Sequence, residues 1–134
     1  GMTLAEIMVA VAVTAFALLT MIGVFIGGLR LVRQSQSVTV ATEGAREVLE
    51  AIKDQGYSAL PTGDAVFDSR QGDAPVNGFP PAPYPDVAAP DGRKYPTRVA
   101  VQDIQPGLKS VTVQVFWDPT RPATVETYFK EPPP

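Results

Sequence analysis

Between Glu6 and Arg30 the chain reads Ile7-Met8-Val9-Ala10-Val11-Ala12-Val13-Thr14-Ala15-Phe16-Ala17-Leu18-Leu19-Thr20-Met21-Ile22-Gly23-Val24-Phe25-Ile26-Gly27-Gly28-Leu29, without one charged residue. About 20 apolar residues in a helix span a bilayer core, so the run is long enough to cross one. A small soluble domain seldom buries a helix that is apolar on every side. No lysine or arginine precedes the run, and no small-residue cleavage site with a polar break follows it. The segment is therefore expected to belong to the working protein and not to a removed signal peptide.

Beyond Arg30 the pattern becomes amphipathic. Val38, Ala41, Ala45, Val48, Leu49 and Ile52 recur at steps of three and four and define one helical face. Glu43, Glu47, Glu50 and Asp54 take the remaining surface with Arg46 and Lys53. Gly56 is placed to end the helix, and Lys53 in the last turn suits the helix dipole. The reading is one helix to about Gln55, on the order of 80 Å long at about 1.5 Å per residue. Its apolar half, residues 1–29, is expected to protrude. Its amphipathic half, residues 30–56, is expected to lie on a small sheet.

Residues 57–97 carry prolines 61, 75, 80, 81, 83, 85, 90 and 96 and read as a long irregular segment. Pro80-Pro81-Ala82-Pro83-Tyr84-Pro85 is expected to run extended as polyproline II, either as a stiff surface loop or as a ligand for a proline-recognising domain. A loop of this length needs a reason, and contact between subunits is the one expected here. Ala65-Val66-Phe67 suits a short edge strand. Residues 98–134 then alternate with period two. Strands are expected over residues 97–103, 108–117 and 123–129, separated by Gln105-Pro106-Gly107 and by Asp118-Pro119-Thr120-Arg121-Pro122. Val111, Val113 and Val115 share one face and need a cover, which the stripe of residues 38–52 supplies. The fold class is thus α+β, with a three-stranded antiparallel sheet; residues 30–134 form one head. Pro132-Pro133-Pro134 cannot join the ladder.

Composition narrows the chemistry. The chain has 134 residues, 45% of them hydrophobic, and 11 basic against 14 acidic side chains. A net charge of -3 lacks the electrostatic footprint of a nucleic-acid binder. There is no cysteine and no histidine, which excludes disulfides, thiol nucleophiles, the commonest general base and the commonest metal ligand. The chain is not expected to be an enzyme: no catalytic residue, cofactor or metal site is nominated. Asp64, Asp68 and Asp73 could ligate calcium, and Asp86 and Asp91 resemble them, but solvation is the simpler role. Arg93, Lys94, Tyr95 and Arg98 are read as a solvated strand edge before a phosphate contact. Trp117 and Tyr128 are read as core or rim of the sheet. Arg30 and Arg33 mark the polar end of the apolar run or serve an ion pair between subunits.

Glu6 admits two readings on physical grounds. A carboxylate at the bilayer centre costs roughly 2.5–3.5 kcal/mol and less near an interface, so Glu6 can simply bound the membrane segment at headgroup level. Alternatively it is buried in an assembly and needs a cation from another copy. The available cation is then a neighbour's N-terminal amine, since no lysine or arginine lies nearby.

Gly1-Met2-Thr3-Leu4-Ala5-Glu6-Ile7-Met8-Val9-Ala10 resembles the processing and N-terminal motif of type IV pilins and pseudopilins. In that family a glycine precedes an apolar residue, then Thr-Leu, one variable residue, a glutamate and a long apolar helix. The resemblance covers about the first 30 residues. Ala51-Ile52-Lys53-Asp54-Gln55-Gly56-Tyr57-Ser58-Ala59-Leu60 is similar to the helix end in the minor-pilin and pseudopilin branches.

The resemblance implies a pilin-like fold and a structural role. A prepilin peptidase would cut between Gly1 and Met2. Met2 stands where the family usually has phenylalanine, often N-methylated. Glu6 would pair with the amine of an adjacent subunit, with Thr3 as the assisting hydroxyl. Gly23 falls near the place of a helix-unwinding proline in many relatives. Gly23, Gly27 and Gly28 suit local melting or, with equal force, close helix approach through a small-xxx-small spacing. The implied partners are other copies of the chain, an inner-membrane platform and an outer-membrane secretin. The subunit would wait in the inner membrane before joining an extracellular filament. Major pilin, minor pilin and pseudopilin all stay open, and an uncut membrane-anchored β domain that binds a ligand is the competing class.

Overall fold

The computed structural model describes Gly1 and residues 3–133. Helix α1 runs from Leu4 to Gln55. It stops where Gly56 turns to a φ of 83°, with the Gly56 N–H donating to the carbonyls of Ile52 and Lys53 at 3.2 and 3.1 Å. Only glycine takes that positive φ without cost. The strands are β1 (Ala65–Asp68), β2 (Asp86–Ala88), β3 (Lys94–Gln105), β4 (Leu108–Asp118) and β5 (Arg121–Lys130). All pair antiparallel in the order β1-β3-β4-β5, with β2 also paired to β3. The fold is α+β. By packing the chain divides into two compact units, Gly1–Gln36 and Ser37–Pro134.

Within the second unit the sheet forms as its period-two pattern dictates. Val99 pairs with Val113, and Val113 with Val125; Val101 pairs with Val111; Thr97 pairs with Val115, and Val115 with Ala123. These rows share one face, and Val99, Val111, Val113 and Val115 are fully buried. The alternate residues Arg98, Thr112 and Gln114 occupy the other face. Ala41, Gly44, Ala45, Val48, Leu49 and Ile52 of α1 supply the cover. Each fully buried valine or isoleucine contributes about 1.5–3 kcal/mol. Val38 is 37% exposed, and the stripe begins at Ala41 instead. Val38 follows the first residue of the unit and lies outside its buried cluster.

Two expectations are corrected. The sheet has five strands where three were expected, because residues 57–97 are not irregular throughout. They hold β1, β2, the first residues of β3 and two short 3-10 turns, Tyr57–Ala59 and Ser69–Gln71. The expected edge strand at residues 65–67 is β1. Residues 80–85 are not an extended polyproline segment either. Residues 82–85 form a turn, the Tyr84 N–H donates to the Pro81 carbonyl at 3.1 Å, and Pro80 and Tyr84 are buried. The cause is apolar content: Phe79, Tyr84 and Val87 join the core, and Phe79 meets Phe67 edge-on at a centroid distance of 5.6 Å. The loop therefore closes the core of its own unit.

Candidate functional site

The first unit is built around the start of α1. Thr3 is the residue before the helix. Its Oγ1 accepts the Glu6 N–H at 3.2 Å, while Glu6 Oε2 accepts the Thr3 N–H at 3.1 Å. This reciprocal pair is a capping box, which satisfies two donors that the first helical turn would otherwise leave open. The first helical bond follows, from the Ile7 N–H to the Thr3 carbonyl at 3.2 Å. A carboxylate in this turn also meets the positive end of the helix dipole. The Thr-x-x-Glu spacing is itself the sequence signal for the box. Gly1 is exposed, and Met2 lies outside the described residues.

From Ile7 to Leu29 every residue is exposed. The two hydroxyls in the run turn inward on the helix: Thr14 Oγ1 donates to the Ala10 carbonyl at 2.8 Å, and Thr20 Oγ1 to the Phe16 carbonyl at 2.9 Å. The outer surface consequently carries no side-chain donor in need of water, which is what a helix in hydrocarbon requires. By length and composition the helix is long and apolar enough to cross a membrane. Gly23, Gly27 and Gly28 lie in unbroken helix, and a Cβ at any of them would meet nothing within 4 Å. Among the described residues nothing requires glycine at these three positions.

The other nominated residues serve the second unit. Asp68 and Arg70 form a two-pronged pair, Arg70 Nε to Oδ1 at 3.0 Å and Nη2 to Oδ2 at 2.7 Å, with the Arg70 N–H on Oδ1 as well. The Arg70 guanidinium, through its hydrogen bonds, holds the Asp68 carboxyl below its ordinary value, against the opposing effect of burial. The same guanidinium lies 3.7 Å from the centre of the Phe116 ring. Asp73 accepts the Asp68 N–H and Asp64 the Asp103 N–H, so each of the three carboxylates is engaged within the chain. Among the described residues no three acidic, histidine or cysteine side chains gather as a metal site. Arg93 pairs with Asp91 at 3.4 Å, Arg98 donates to Gln114 at 3.1 Å, and Tyr95 is buried. Asp86 lies half-buried in β2. Trp117 packs on the core edge, whereas Tyr128 is 61% exposed.

Sequence reasoning did not single out Lys109. Its ammonium is largely buried, donates to the Pro61 carbonyl at 2.6 Å, and stands 3.7 Å from Asp103 and 5.4 Å from the Tyr57 ring centre. Burial first, then the charges of Glu131 and Asp103, raise the Tyr57 hydroxyl. The cluster ties the residues after α1 to the β3–β4 hairpin. No signal in a lysine alternating along a strand distinguishes it from a solvated one.

Arg30 and Arg33, by contrast, have no ion-pair or hydrogen-bond partner among the described residues. Comparison of the chain with protein-family models, curated proteins and solved structures returned no match.

Proposed function

We propose that this chain is a structural subunit of a type IV pilus-like filament, held in the inner membrane before assembly and carried to the cell surface in the polymer. The observation that carries this reading is the exposed, charge-free helix surface of residues 7–29 with a carboxylate, Glu6, at its first turn. Transfer from lipid to a bundle of like helices keeps such a surface dry throughout. Glu6 uses one carboxylate oxygen in its own capping box. The other has no partner among the described residues and is open to the amine of an adjacent copy. In a low-dielectric core that pair sets register more than it adds net stability. The same reading brings in a prepilin peptidase acting at Gly1 and Met2, an inner-membrane platform and an outer-membrane secretin. It holds equally for a major pilin, a minor pilin or a pseudopilin.

The capping box favours a second reading. Glu6 there only starts the helix of an uncut membrane anchor, and the sheet unit binds a ligand beside the membrane. Glutamine completes a capping box as well as glutamate does, but carries no charge. Electron microscopy of sheared surface filaments from cells with wild type, Glu6→Gln and Glu6→Ala therefore separates the two. Filaments containing the wild-type chain, and lost in both variants, support the charged pair. Normal filaments with Glu6→Gln assign Glu6 to capping alone. A wild-type chain that stays in the membrane fraction with no filament leaves the anchored domain.

A further inference from the structure

Charges along α1 are unevenly dealt. Between Ile7 and Thr42 the only charged residues are Arg30 and Arg33; between Glu43 and Asp54 four acids stand against two bases. Arg30, Arg33, Glu43 and Glu47 are all exposed, and none has a partner among the described residues. Glu50 is already engaged by Lys53 at 3.4 Å. Arg30 and Arg33 lie three residues apart, and Glu43 and Glu47 four, so each pair occupies about one helical turn. Two cations on one turn match two anions on one turn, and the excess of each sign is the same. Exposed apolar side chains, Leu29, Leu31 and Val32, flank the arginines. A contact at that place removes water from the charges and strengthens their attraction.

From this complementarity we infer that Arg30 and Arg33 of one copy dock on Glu43 and Glu47 of a second copy, a contact outside the Glu6 site that fixes which turns of neighbouring helices meet. The inference rests on the filament reading and specifies its subunit contact. Pairing Arg30 with Glu43 and Arg33 with Glu47 uses sequence offsets of 13 and 14 residues, so one parallel register serves both. Arginine suits the task because its planar fork engages a carboxylate through two donors. Arg46, between the two glutamates in sequence, also lacks a partner among the described residues and leaves both glutamates open.

The test uses the full chain in cells and reads the mass of sheared filaments at equal subunit abundance. Arg30→Glu with Arg33→Glu, and separately Glu43→Arg with Glu47→Arg, are each expected to lower filament mass at least tenfold. All four changes together should recover at least half of it. The six substitutions sit on exposed positions, and equal abundance in the membrane fraction guards against misfolding. A second readout exploits the lack of cysteine. Copies carrying Arg30→Cys and differently tagged copies carrying Glu43→Cys should form a mixed disulfide dimer on oxidation, above the yield of either like pair. Unchanged filament mass in both reversed variants, failure of the four-fold exchange to restore it, or absence of the mixed dimer overturns the contact. A change only in membrane retention of the arginine variants also overturns it, by assigning those residues to anionic headgroups. Absence of wild-type filaments overturns the filament reading itself and is distinguishable from all of these.

Discussion

Asp68 sits near the end of β1 with its side chain only 4% exposed, clamped by Arg70. Because its folded value lies below the ordinary 3.8, the native state binds this proton less readily than the unfolded chain does. Its contribution to stability is full above that ordinary value and is lost as pH falls through it toward the folded value. The Asp68→Asn variant should be less stable at neutral pH by about 1.5–3 kcal/mol, the range for a hydrogen bond to a charged group. Its urea midpoint should also change less than that of wild type between about pH 5 and pH 3. Equal acid slopes in the two proteins would dismiss Asp68 as a source of the pH dependence. Asp118, lowered by the Thr120 backbone and side-chain hydrogen bonds, keeps a residual slope of the same sign. Thr97 gives the opposite kind of prediction. Its Oγ1 is fully buried with no hydrogen-bond partner among the described residues. Thr97→Val keeps the β-branched shape and removes an unpaired hydroxyl, so equilibrium unfolding should report unchanged or increased stability, by up to about 1 kcal/mol.

Between elements, α1 approaches β2 tightly at Gly44. A Cβ on Gly44 would lie 2.8 Å from Val87 Cγ2, nearer than atoms tolerate, and a tight 3.1 Å from Val87 Cβ. Helix propensity favours Gly44→Ala by about 1 kcal/mol, but overpacking against a stiff valine costs about 1–3 kcal/mol and should prevail. Val87→Ala alone should also destabilise, by opening a void. The double substitution should then be more stable than the sum of the two losses predicts, which a double-mutant cycle in urea measures. Strict additivity would mean that the helix and strand do not meet as described. This contact was also the least legible part of the fold. The strands β3, β4 and β5 announce themselves through alternating valines, and α1 through its apolar run and stripe. Strand β2 has three residues between prolines, too few to display a period, and Gly44 reads locally as a poor helix former. At the other end of α1, Thr3 and Glu6 were legible as a pair, but their intrachain bond and a contact with another copy draw on the same letters. Chain-to-chain chemistry leaves no periodic trace that would separate them.

At the scale of the molecule, the described buried residues all fall within residues 37–134, and none within the first unit. Residues 37–134 expressed alone should therefore unfold cooperatively in urea, with the near-ultraviolet signal of Trp117 and the far-ultraviolet signal vanishing together. Loss of the two signals at separate urea concentrations would show that the sheet unit needs residues 1–36. The order in which that unit's walls are made carries a consequence in time. Residues 41–52 form one wall, but β5, which covers the flank of β4, ends only at Lys130. At a synthesis rate of about 5–20 residues per second, roughly 4–16 s separate completion of the helical stripe from completion of the last strand. Until β3 and β4 have followed, Val48, Leu49 and Ile52 have no sheet to cover them. A nascent chain is thus open to a holding chaperone, or to a wrong helix from another ribosome, for seconds before its own valines arrive.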